Sequence, residues 1–70
     1  MNIREFEKIK EVEYDGDIQT LKVGELFLMG ESMIAQKENK TLGDEVSVYK
    51  VVKNINGHVQ YNIEFIKLEI

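Results

Sequence analysis

The chain reads as a mainly β fold, with an α+β arrangement as its variant: a small, strongly curved antiparallel sheet or closed barrel behind a short N-terminal helix. Three observations predict it. Five glycines and no proline divide the 70 residues into short apolar segments, the punctuation of strands joined by tight turns. Asn56-Gly57 stands between two apolar-rich runs, and that dipeptide is the preferred loop of a type I′ hairpin. From Glu11 to Asp15, acids alternate with Val12 and Tyr14, the period of a half-exposed strand.

Taken in order, residues 3–10 are the best helical candidate. Asn2 and Glu5 have the spacing of a helix N-cap and its N3 partner, and Ile3, Phe6 and Ile9 recur at helical intervals. A strand is the alternative there. Val12 and Tyr14 begin a strand, and Asp15-Gly16-Asp17 reads as a tight turn in which glycine supplies a positive φ. Ile18–Val23 and Glu25–Met29 then form one bent strand or two, with Gly24 as bulge or bend. Met33-Ile34-Ala35 reads as a further strand, and Gln36–Asp44 as its connecting loop. In the hairpin, a two-residue loop sets Ile55 opposite His58, Val52 opposite Tyr61, Lys50 opposite Ile63 and Val48 opposite Phe65. One face then gathers Val46, Val48, Val52, Val59, Tyr61, Ile63 and Phe65 as core. The apolar phase slips at Phe65-Ile66, where a bulge is expected, and resumes as Ile66, Leu68 and Ile70.

Seventy residues suffice for one domain, 1–70, with a limited core, so each large apolar side chain counts. There is no cysteine, which removes disulfides and thiolate metal sites and fits a reducing cytoplasm. The formal charge is −4, from 13 acids against 9 bases. Residues 1–45 carry eleven acids and six bases, and residues 46–70 two acids and three bases. This balance argues against direct binding of nucleic acid or an anionic membrane, which need a basic footprint. The longest apolar run, Leu26–Met29, is four residues, far below a membrane span. The charged N-terminus lacks the apolar core of a signal peptide.

No constellation for catalysis stands out, and no enzyme is expected. The lone histidine, His58, falls beside the hairpin turn, where an exposed polar residue is ordinary. One histidine without cysteine makes zinc improbable. No glycine-rich phosphate loop occurs. Asp15-Gly16-Asp17 lacks the alternating oxygen array of an EF-hand. No cofactor and no metal are expected.

Two surfaces remain. On a strand, Glu11, Glu13 and Asp15 would project at intervals of roughly 6.5–7 Å, similar to successive phosphates of one nucleic-acid strand. With Asp17 they would form a carboxylate row able to enter a basic groove. A solvated, charge-protected edge is the plainer alternative, and Glu5, Glu7, Lys8, Lys10 and Lys22 lie nearby in sequence. The second surface is apolar: Leu26–Met29 with Ile66, Leu68 and Ile70, either a homodimer contact or core turned inward by the bulge.

Leu21-Lys22-Val23-Gly24-Glu25-Leu26-Phe27-Leu28 resembles the K-V-G-D-x-V strand entry of SH3-like barrels. That resemblance implies a barrel of this type and carries no ligand site with it. In size, acidity, lysine-over-arginine usage and lack of cysteine, the chain resembles small acidic proteins with which phages disable host nucleic-acid-binding proteins. That resemblance implies a DNA-mimic inhibitor acting in the bacterial host cytoplasm. Its partner would be a basic protein, contacted by Glu11, Glu13, Asp15 and Asp17. The alternative function is a structural or adaptor β-barrel module that assembles through apolar edge-strand contacts.

Overall fold

Asn56 and Gly57 take φ values of 52° and 87°, the doubly positive pair that a type I′ turn requires, and the longest element of the molecule grows from this turn. The computed structural model describes residues 1–39 and 45–69. Strand β3 (Glu45–Ile55) and strand β4 (His58–Lys67) flank the turn. Eleven residues at about 3.4 Å each account for the 37 Å long dimension of the molecule. Before them come helix α1 (Ile3–Glu7), strand β1 (Lys10–Val12), a 3-10 turn at Asp15–Ile18, and strand β2 (Leu26–Met29). Helix α2 (Glu31–Ile34) and a second 3-10 turn at Ala35–Lys37 complete the described elements.

The sheet order is β1-β2-β3-β4. The fold is mainly β, but the sheet is mixed and open where an antiparallel sheet or an SH3-like barrel was expected. β1 runs parallel to β2, pairing Lys10 with Phe27 and Val12 with Met29. A parallel neighbour needs a crossover of about a dozen residues or more, and residues 13–25 supply it. Those residues cannot also continue the strand. Ile18 and Leu21 are buried three positions apart, and the Leu21 N–H donates to the Ile18 carbonyl at 3.0 Å. That is turn spacing, which is why the strand expected over Ile18–Val23 does not form. Asp15–Asp17 folds as 3-10 turn without a positive φ at Gly16. Gly24 does bend the chain, at φ 94°, and bonds the Val51 carbonyl at 2.9 Å.

α1 starts where the cap predicts: Asn2 Oδ1 accepts the Arg4 N–H at 2.7 Å. It ends two residues short of Ile9, and Lys10 already belongs to β1. The strand expected at Met33–Ala35 is instead helix and 3-10 turn. Gly30 at φ 95° turns the chain out of β2, the Ile34 N–H closes on the Gly30 carbonyl, and Met33 drops into the core. Part of the loop expected at Gln36–Asp44 therefore begins as 3-10 turn, and residues 40–44 lie outside the described residues.

The core lies on both faces of the sheet. Phe6, Ile9, Leu28, Met33, Val46, Val48 and Leu68 form one cluster. Val12, Ile18, Leu21, Phe27 and Val51 form the other. β2 reads apolar on both faces because its alternate residues Phe27 and Leu28 serve different clusters. The apolar run Leu26–Met29 is thus sandwiched, with the outer two residues half-buried.

The hairpin keeps the expected register through Ile55–His58, Asn54–Val59 and Lys53–Gln60 and departs from it beyond the bulge. Ile55 faces His58, but Val51 faces Tyr61, Lys50 faces Asn62 and Val48 faces Glu64. The irregularity sits between Val51 and Lys53, in β3 and far from Phe65-Ile66. It lets Val51 sink into the core at 0% exposure while Val52 turns out at 43%. Beyond the bulge each partner is displaced by one residue, so Val59, Tyr61, Ile63 and Phe65 share the face of Val51 and lie on the face opposite Val46 and Val48.

Gln36 closes the ladder where β2 leaves it. The last β2–β3 pair is Phe27–Tyr49. Beyond it, Gln36 Nε2 donates to the Ser47 carbonyl at 2.8 Å and Gln36 Oε1 accepts the Ser47 N–H at 2.8 Å. One side-chain amide thus stands in for a strand residue. Gln36→Ala strands two half-buried backbone groups, with an expected loss of about 2 kcal/mol. Urea unfolding should show a lower midpoint at unchanged m.

Candidate interaction surface

β4 lies at the edge of the sheet. A two-residue loop makes Ile55–His58 a hydrogen-bonded pair, so His58, Gln60, Asn62, Glu64 and Ile66 turn their backbone groups toward β3. The alternate residues aim theirs outward. At the far end this edge is already taken. The Met1 ammonium donates to the Lys67 carbonyl at 2.8 Å, and Asn2 bridges Glu69 in parallel. The Glu69 N–H donates to the Met1 carbonyl at 2.8 Å, and the Ile3 N–H donates to the Glu69 carbonyl at 2.9 Å. The N-terminal residues therefore cap the edge from Lys67 onward, and among the described residues no further strand lies beside Val59–Phe65, the open stretch of the sheet edge.

Val59, Tyr61, Ile63 and Phe65 project from one face of that stretch. Phe27, Tyr49 and Tyr61 interlock behind it, with ring centroids 4.9–5.4 Å apart. The two Tyr61 contacts are edge-to-face, the arrangement that ring quadrupoles favour. The cover formed by Ile18 and Leu21 reaches Val59 and Tyr61, which are half-buried against that cluster. It does not reach further. Ile63 is 49% exposed and Phe65 65% exposed. The result is an apolar row that begins in the core and runs out into solvent along the outermost strand of the sheet.

At the hairpin tip, Asn54 pins β3 to the crossover. Its Nδ2 donates to the carbonyls of Gln19 at 3.0 Å and Leu21 at 2.7 Å, and its Oδ1 accepts the Gly57 N–H at 3.1 Å. An open hollow of about 580 Å³ lies beside it, lined by Ile18, Gln19, Lys53, Val59 and Tyr61. His58 is exposed at its rim.

The acidic residues do not share a strand face. β1 ends at Val12, so of the four only Glu11 is in a strand. Glu13 sits at a bend, and Asp15 and Asp17 belong to the 3-10 turn. Glu11 Oε2 meets Lys37 Nζ at 3.1 Å, and the same ammonium donates to the Ile9 carbonyl at 2.6 Å. Glu13 and Asp17 are exposed. Of the expected dimer contacts, Leu68 is 1% exposed in the core cluster with Phe6 and Leu28, and Ile66 packs partly against it. Ile70 lies outside the described residues. Gln36, Asn54 and the Ile63–Phe65 exposure escaped sequence reasoning. The signal for the last was the adjacent pair Val51-Val52, either of which can take the buried place.

Among the described residues, no group of three His, Asp or Glu side chains is placed to hold a metal. No helix among them is long and apolar enough to cross a membrane. No protein family, curated protein or solved structure matches the chain.

Proposed function

We propose that this chain is a non-enzymatic binding protein whose contact surface is the open edge of β4 and its apolar row. The observation that carries this reading is the exposure of Ile63 and Phe65 on a proline-free edge strand. Edges of soluble sheets are ordinarily blunted by charge, proline or a cover. Among the described residues only the Lys67 end is covered, and the charged Glu64 projects to the opposite face from Phe65. The partner that fits is a protein segment in extended conformation. Its backbone continues the sheet, and its alternate apolar side chains meet Val59, Tyr61, Ile63 and Phe65. Affinity capture followed by titration tests it. The pair Ile63→Thr and Phe65→Ser is expected to weaken binding by about 10- to 100-fold, at low and at high salt alike. Unchanged binding by this pair would sink the reading.

A second reading keeps the acidic surface: an inhibitor of phage type that occupies a basic, nucleic-acid-binding site on a host protein. Its support is the outward Glu13 and Asp17 at the bend and turn after β1. It predicts capture that falls steeply between low and high salt and is lost on Glu13→Lys with Asp17→Lys. Salt-insensitive capture, or capture that survives the charge reversal, rejects it.

A further inference from the structure

We infer that the occupant of the β4 edge is a second copy of this chain, paired antiparallel about a two-fold axis at Asn62; this rests on the edge reading above. The open stretch runs from Val59 to Phe65, and its centre is Asn62. A continuous sheet keeps facing residues on the same side. With the axis at Asn62, Val59 therefore meets Phe65 of the second copy and Tyr61 meets its Ile63. Both exposed apolar residues are covered, each by a half-buried residue of the same row. On the other face, Asn62 meets Asn62, Gln60 meets Glu64 and His58 meets Ile66. No two like charges oppose one another.

Neighbouring registers fail for stated reasons. An axis at Ile63 makes Val59 and Lys67 a hydrogen-bonded pair, but the Lys67 carbonyl already accepts the Met1 ammonium. With the axis at Asn62, Lys67 lies opposite Gly57, past the end of the strand, and no bond is asked of it. An axis at Glu64 sets two carboxylates opposite each other, which is destabilising. An axis at Tyr61 leaves Phe65 facing Gly57, beyond the end of the strand, and uncovered. A two-fold edge contact is also closed, so it ends at the dimer and does not propagate into a fibre.

The chain has no cysteine, which makes single-cysteine variants clean reporters. In this register Asn62 faces its own copy across a non-hydrogen-bonded pair, where Cα atoms stand about 4.5 Å apart, within disulfide reach. Mild oxidation of Asn62→Cys is expected to yield covalent dimer at least about tenfold more efficiently than Gln60→Cys or Glu64→Cys alone. A mixture of the last two should cross-link to each other. Sedimentation of the unmodified chain should show dimer that Phe65→Ser dissociates. Equal cross-linking at all three positions overturns the register. A monomer at every concentration overturns the dimer. If the chain is monomeric yet capture of a foreign protein still needs Ile63 and Phe65, the edge reading stands and the self-pairing falls.

Discussion

Leu68→Ala is expected to cost about 3 to 5 kcal/mol, most of the stability of so small a domain, and to shorten or remove its folded baseline at 25 °C. Leu68 is 1% exposed and packs with Phe6, Ile9, Leu28, Met33, Val46 and Val48. Removing a leucine side chain from such a place forfeits its transfer free energy and opens a cavity. A domain of 70 residues has roughly 5 kcal/mol in total to lose. The same residue read as a dimer contact predicts a different result: a stable monomer with weakened association. Far-ultraviolet circular dichroism through a urea titration, at two protein concentrations, separates them. Loss of the folded baseline at both concentrations supports a core role. A folded, concentration-independent monomer with wild-type stability would contradict it. Phe65→Ser, three residues away on the same chain, is the internal control. Phe65 is exposed in the single chain, so at protein concentrations too low for pairing stability should move by no more than about 0.5 kcal/mol.

Phe27→Ala should be as damaging, through the other face of the sheet. Phe27 is fully buried with Val12, Ile18, Leu21 and Val51. Truncation of a core phenylalanine costs about 3 to 5 kcal/mol, of which each lost aromatic contact accounts for about 0.5 to 1.5 kcal/mol. Its rings of contact are Tyr49 at 5.4 Å and Tyr61 at 5.1 Å. Tyr61 is also the innermost support of the exposed row, so the defect reaches the binding edge. Phe27→Leu keeps most of the volume and is expected to fold. In that variant the Tyr61 ring resonances should move while those of residues on the first cluster stay in place. Unperturbed Tyr61 resonances would show that the row does not lean on Phe27.

These outcomes divide along what local chemistry can announce. The hairpin turn was legible because Asn56 and Gly57 are the residue types that tolerate positive φ, a property of two residues alone. The Asn2 cap was legible because its bond spans two residues. The bulge was not, because Val51 and Val52 are chemically identical. Only packing against Ile18, Leu21 and Phe27 chooses which of them is buried. From that choice follows the face on which Ile63 and Phe65 lie, where the cover of Ile18 and Leu21 ends at Val59 and Tyr61. Met33-Ile34-Ala35 departs from the expected strand for a related reason. Three apolar residues carry too little periodicity to tell strand from turn, and Gly30 with its positive φ settles the matter. The carboxylate row presumed that the strand would continue past Val12. The parallel crossover ends it there, since residues 13–25 are needed to bring β2 back alongside β1.

By itself, the sequence determined the β-rich class, the N-terminal helix start, the Asn56-Gly57 turn and its closing pair, and the absence of disulfides. Each is set by preferences within a few residues or by composition. Tertiary structure alone decided the mixed sheet, the place of the bulge, the burial of Leu68 and the exposure of Phe65. Those depend on which faces other segments cover, and burial is allotted by contacts between residues far apart in the chain.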